Sequence, residues 1–160
     1  MKTKTINSTK QIAFIVHPDK KTELIEWSYF NKDILQKHEI IATGDTAKML
    51  EGTLNKPVTR YLNGPYEGNQ ELCNMISDGK IDAVILFRGA DETPLQRNGI
   101  RSIIHTALEA DIIIANNKTT ADFIITSPLM VNKNAVKTAC IGIDDNTGNS
   151  TRQLKKNNAA

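Results

Sequence analysis

Short apolar runs alternate along this chain with longer stretches in which apolar residues recur every three or four positions. The first run is Ile12, Ala13, Phe14, Ile15 and Val16. Residues 22–37 then place Leu24, Ile25, Trp27, Phe30, Ile34 and Leu35 at helical spacing, which predicts one amphipathic helix. Ile40, Ile41 and Ala42 make a second run, residues 46–54 a short helix, and residues 58–62 a third run. After a Gly-Pro turn, residues 70–77 set Leu72, Met75 and Ile76 on one helical face, and Gly79 supplies the helix end. Residues 83–87, Ala-Val-Ile-Leu-Phe, are the clearest buried strand. A polar loop, 88–98, leads to a helix marked by Ile100, Ile103, Ile104, Ala107 and Leu108. Residues 112–115 read as a further strand and 119–127 as a last helix ended by Pro128.

Five strands that are apolar on both faces and alternate with helices predict an α/β fold. Its architecture is a three-layer, doubly wound domain around a central parallel five-stranded sheet. The expected organisation is a flexible N-terminal extension at 1–10, the domain at 11–143 and a polar, mobile tail at 144–160. Residues 139–143 are a candidate additional strand. Ligands of such sheets bind beyond the carboxyl ends of the strands. That rule selects the segments 17–21, 43–46, 63–69, 88–98 and 116–120.

Composition narrows the partners. A chain of 160 residues fits one domain able to bury its own core. The net charge of +2 is spread along the chain and leaves no nucleic-acid footprint. No apolar run approaches the ~20 residues that span a bilayer. The polar start, with Lys2, Lys4 and Lys10, lacks the apolar centre of a secretory signal. Cys73 and Cys140 have neither metal nor redox spacing and read as inert thiols. The expected setting is a reducing cytoplasm.

Several local signatures occur together. They are residues 12–21, Ala42-Thr43-Gly44-x-Thr46, Gly64-Pro65-x-x-Gly68-x-Gln70, Ile76-Ser77-x-Gly79-Lys80-Ile81-Asp82, and the run from Thr120 to Pro128. In order and spacing the chain resembles the methylglyoxal synthase family over residues 11–130. The resemblance implies elimination of phosphate from dihydroxyacetone phosphate, with no metal and no organic cofactor. A carboxylate takes the proton beside the carbonyl, and the enediolate expels phosphate. It also implies a homo-oligomer, a hexamer.

Laid on this chain, the resemblance implies a ligand pocket of His17, Lys21, Thr43, Gly44, Asp45, Thr46, Asn63, Gly64, Asn69, Arg88 and Gln96. Thr43, Gly44 and Thr46 keep most of the phosphate loop, whose free amides suit an anion. Asp45 stands where the family has threonine and reads as a helix N-cap in preference to a ligand-facing group. Asn69 stands where the family has its catalytic Asp, and a carboxamide cannot take up a proton at neutral pH. Gly89, Gln96 and Gly99 stand where it has an Asp, a carbonyl-polarising His and a further Asp. Asp91 and Glu92 are candidate displaced bases, although both read first as exposed loop charges. Arg88, Lys21 and Arg97 are available to an anionic ligand. Thr119 is a candidate cap for the last helix, and Asp122 suits its positive end or an ion pair with a neighbouring subunit.

These departures lead to the expectation of a small-molecule binding protein. Its repurposed pocket would sense or sequester a phosphorylated metabolite or nucleotide and lack synthase activity. One alternative is an active enzyme, either a synthase with Asp91 or Glu92 as base or a different reaction using His17 and Lys21. The other is a non-catalytic subunit assembling with an active paralogue.

Overall fold

The apolar runs fold as β1 (Gln11–Val16), β2 (Glu39–Thr43), β3 (Thr59–Tyr61), β4 (Ala83–Phe87) and β5 (Ile113–Ala115). All pair in parallel in the order β3-β2-β1-β4-β5. The computed structural model describes residues 7–61 and 69–131. The chain divides into two units, Thr9–Ser127 and a unit of both termini, Met1–Ser8 with Pro128–Ala160. In the terminal unit the described part includes a 3-10 turn, Pro128–Met130. The expected tail at 144–160 and the candidate strand at 139–143 lie outside the described residues.

Side chains alternate across a strand, and here both faces are covered. Ala13 and Ile15 of β1 and Val84 and Leu86 of β4 join Leu72, Ile76, Ile100, Ile103 and Ala107 in one core cluster. This places α4 (Asn69–Ser77) and α5 (Pro94–Glu109) on that face. On the other face Trp27 of α1 (Lys21–Phe30) packs edge-on against Phe14 and Phe87, with ring centroids 6.1 and 5.7 Å apart. The Trp27 Nε1–H donates to Asp122 Oδ1 at 2.6 Å and so ties α1 to α6 (Lys118–Ile125). A structural partner for Asp122 is therefore Trp27, with Lys118 Nζ at 3.4 Å.

Several boundaries differ from the sequence reading. The helix predicted over 22–37 breaks at Asn31, and a separate turn, α2, covers Lys32–Leu35. The Asn31 Nδ2 and backbone N–H both donate to Trp27 O, at 2.9 and 3.1 Å. An Asn side chain that satisfies a terminal carbonyl offers the backbone an alternative to helix. The next helix, α3 (Gly44–Leu54), starts two residues before the predicted 46. In α5 a capping box formed by Thr93 and Gln96 starts the helix at Pro94, inside the segment read as loop. Asn117, not Thr119, caps α6: its Oδ1 accepts the Thr120 N–H at 2.8 Å. Gly79 does end α4, with φ +73, and the Lys80 N–H reaches back to Met75 O at 2.9 Å.

At the amino end of the sheet His38 is fully buried, and its Nδ1 accepts the Lys10 backbone N–H at 3.0 Å. Burial first, then the charges of Lys10, Lys56 and Lys37, hold its pKa down at about 4 against an opposing Asp82. The folded state thus keeps His38 neutral where the unfolded chain binds a proton. Stability from this site is complete above the ordinary value of 6.5 and declines as pH falls towards about 4. The loss amounts to about 3 kcal/mol across that window. Urea midpoints measured from pH 7.5 to 4 will show this slope, and His38→Gln will flatten it. An unchanged slope in the variant would assign the loss to other groups.

Candidate active site

A parallel sheet brings every strand's carboxyl end to one edge, and here the strand order reverses between β1 and β4. Such a switch point leaves a crevice. Backbone pairing continues one residue past β1, where the His17 N–H donates to Phe87 O at 2.9 Å. His17 and Arg88 therefore leave the sheet side by side. A small cleft opens there between His17, Arg88 and Glu92, over an apolar floor of Ile15, Leu86, Phe87 and Ile100.

Glu92 is the main departure from the sequence reading. It was expected to be an exposed loop charge, but its side chain is only 5% accessible. Arg88 grips it with both nitrogens of one edge, Nε to Oε1 at 3.0 Å and Nη2 to Oε2 at 2.6 Å. The Arg88 hydrogen bonds hold the carboxyl below the usual Glu range; burial opposes them, and the charges of Arg88, His17 and Arg97 assist. Arg88 also donates from Nη1 to Asn116 Oδ1 at 3.3 Å, spanning the ends of β4 and β5. Three of its N–H groups are thus engaged within the protein, so its charge serves Glu92 before any ligand. Asp91 is exposed, as expected, and Arg97 is exposed as well. The pattern that could have found the pair is Arg88-x-x-x-Glu92 directly after a fully buried strand.

His17 is 11% accessible, and its Nδ1 accepts the Asp19 N–H at 3.3 Å and lies 3.5 Å from Asp19 Oδ2. With Nδ1 accepting, the neutral ring carries its proton on Nε2. Lys21 is the first residue of α1 and lies outside the cleft lining. At the end of β2, Thr43 is the N-cap of α3, with φ −67 and ψ 158. Asp45 is consequently not the cap. It lies exposed in the first turn, where the helix dipole favours a carboxylate. The Thr43 hydroxyl donates to buried Thr46 Oγ1 at 3.3 Å. A side chain at Gly44 would meet nothing within 4 Å, so the helix start is open to an approaching group.

Asn69 opens α4, and its Oδ1 is buried without a hydrogen-bond partner among the described residues. Gln96 is committed to the capping box: its Oε1 accepts the Thr93 N–H at 2.7 Å. Asn63 and Gly64 lie outside the described residues. Among the described residues no cluster of His, Cys, Asp and Glu is arranged to hold a metal.

Known proteins share this arrangement of elements. The MGS-like domain matches residues 23–116. The chain is 38% identical over 122 residues to a methylglyoxal synthase of Pseudoalteromonas atlantica, covering 76% of this chain and 90% of that one. The chain belongs to the methylglyoxal synthase family. A synthase of Saccharophagus degradans is 37% identical, covering 81% of this chain and 86% of its own. The crystal structure of methylglyoxal synthase from Elizabethkingia anophelis superposes with a TM-score of 0.70 at 34% identity, covering 81% of this chain and 85% of that one. These relatives overturn the expectation of a repurposed binding pocket without synthase activity. Likeness to methylglyoxal synthases runs through most of the chain, and it supports the enzyme alternative. Among the described residues no helix is long and apolar enough to cross a membrane.

The Arg88–Glu92 pair makes a stability prediction. Removing the guanidinium in Arg88→Met leaves a carboxylate buried without its partner, at a cost of about 2–4 kcal/mol near pH 7. Because the folded carboxyl titrates below its ordinary value, the pair stabilises fully above the unfolded carboxyl pKa and loses this as pH falls through the folded one. Urea denaturation should show the deficit at pH 7 and its shrinkage towards pH 3. A deficit independent of pH would mean the variant suffers from lost packing instead.

Proposed function

We propose that this chain is a methylglyoxal synthase that converts dihydroxyacetone phosphate into methylglyoxal and phosphate. The observation that carries the reading is 31–38% identity, over three quarters of the chain or more, to proteins of that name. The residue roles are part of the proposal. The acids of the family pattern are replaced at residues 69, 89 and 99, and Glu92 takes over as base. Its support is a buried carboxylate in the switch-point cleft, kept ionised by Arg88.

The chemistry follows from those positions. Glu92 removes a proton from the hydroxymethyl carbon next to the carbonyl. Charge develops on the carbonyl oxygen, where the Nε2–H of His17 can donate a hydrogen bond. The resulting enediolate expels the phosphate on the far carbon, breaking the C–O bond, while its hydroxyl proton leaves with the phosphate. The enolate that remains takes the proton held by Glu92 at its methylene carbon, which gives methylglyoxal and restores the carboxylate, so atoms and electrons balance. The amides at the start of α3 and the Lys21 ammonium are suited to the phosphate. The Asn69 amide supplies a hydrogen bond where the family has a base. No metal or organic cofactor is required. A carboxylate held below its ordinary pKa is a weaker base than a free Glu, so the chemical step should be slow for this reaction. Homo-oligomerisation, to a hexamer by resemblance, belongs to the same proposal. The exposed Tyr29, Phe30 and Phe123 offer apolar surface for it.

Methylglyoxal and inorganic phosphate should appear in equal amounts from dihydroxyacetone phosphate, above the enzyme-free rate. Glu92→Gln should lower kcat by ~10²–10⁴-fold. No turnover by the unsubstituted chain would refute the synthase reading. Undiminished turnover in a folded Glu92→Gln variant would refute Glu92 as base and leave the reaction standing.

A further inference from the structure

Gly89 follows Arg88 in the loop between β4 and α5, and the His17 ring lies directly over it. A Cβ built on Gly89 would sit 2.4 Å from His17 Nδ1, 2.5 Å from Cγ and 2.7 Å from Cε1. Real side chains do not pack that closely, so any residue other than glycine would force the imidazole to move. Gly89 shows no left-handed backbone of the kind that marks Gly79, Asn55 and Asp111. The demand for glycine here comes from the ring and not from φ.

The ring's two nitrogens are in different situations. The edge bearing Nδ1 is turned to Gly89 and to the Asp19 amide, which donates to it at 3.3 Å. Nε2 is not among the atoms closest to Gly89 and has no hydrogen bond to a described residue. His17 also lines the cleft beside Glu92. An accepting Nδ1 fixes the neutral tautomer with its proton on Nε2, which makes that atom a donor.

We infer that Gly89 is a positioning residue. Its missing side chain is what seats the His17 imidazole with Nδ1 on the Asp19 amide and leaves Nε2–H as the donor to the substrate's carbonyl oxygen. The inference rests on the synthase reading for its catalytic meaning, while the seating of the ring is independent of it. Its consequence is that this chain has remade the cleft as a unit. The position that carries a carboxylate in the family pattern is filled by imidazole, so restoring Asp at 89 removes function instead of returning it.

The test compares Gly89→Ala, Gly89→Asp, His17→Ala and the double variant His17→Ala/Gly89→Ala. Two-dimensional ¹H–¹⁵N spectra of the imidazoles, recorded without substrate, report the His17 tautomer. Phosphate release from dihydroxyacetone phosphate gives kcat and KM, and thermal melts report folding. Gly89→Ala should change the His17 tautomer signature and lower kcat at least tenfold with a smaller change in KM. Gly89→Asp should be as slow or slower. In the His17→Ala background the alanine at 89 should cost no further activity, and any loss of melting temperature in the single variant should be recovered, because the ring is gone.

Unchanged His17 signals in Gly89→Ala would overturn the inference, as would an equal loss of activity with and without the imidazole. Faster turnover in Gly89→Asp would overturn it as well. If the unsubstituted protein releases no phosphate, the synthase reading fails. In that case the spectra and the melting temperatures of the four variants still decide whether Gly89 seats His17.

Discussion

Backbone pairing between β1 and β4 is the constraint on which the rest of the molecule depends. The two strands run together from Ile12 with Ala83 to Val16 with Phe87, and both are buried throughout that register. A strand buried on both faces cannot slip by one residue without exchanging its two sets of side chains. The pairing therefore fixes where each strand ends. His17 and Arg88 emerge as neighbours at the point where the strand order reverses. The cleft, the Arg88 grip on Glu92 and the contact of His17 with Gly89 all follow from that register.

Two opposing demands meet at Glu92. Burial raises a carboxyl's pKa, and a bidentate arginine lowers it. The pair's hydrogen bonds decide the balance in favour of the charged form. This secures an ionised carboxylate in an apolar cleft, and it also draws basicity out of it. Arg88 is the natural residue for such a grip because its planar fork matches a carboxylate in two parallel hydrogen bonds. The same commitment explains why Arg88 is a poor first contact for a ligand anion. In the proposed synthase, phosphate is left to the open start of α3 and to Lys21, for which the described residues offer no comparable grip.

The far edge of the sheet shows the contrasting use of a titratable group. His38 lies buried at the amino ends of the strands, with Lys10 and Lys56 nearby and its carbonyl accepting from Lys56 Nζ. Charging it there would add a further cation beside those of Lys10, Lys56 and Lys37, so it stays neutral. Trp27 plays a structural role on one face of the sheet, joining the Phe14 and Phe87 rings to Asp122. These groups hold the scaffold, and of them only Phe87 also reaches the cleft, as part of its floor.

Hydrophobic periodicity by itself determined the five strands, their alternation with helices and hence the parallel sheet. Burial on both faces of a strand needs only apolar residues in sequence, and a helix needs only their recurrence at three and four. Gly79 was legible as a helix end because its left-handed backbone favours glycine. Local boundaries were less so: Asn31, Thr93 and Asn117 decide them through side-chain hydrogen bonds that compete with the neighbouring residues for the same cap. At the site, the sequence placed His17, Thr43, Asn69 and Arg88 at strand ends or helix starts. The tertiary structure alone decided that Glu92 is buried while its neighbour Asp91 is exposed, that Arg88 is spent on Glu92, and that Gly89 makes room for an imidazole seventy-two positions away in the chain (89 − 17). Those outcomes depend on packing between residues remote in sequence, and packing distances leave no mark on local pattern.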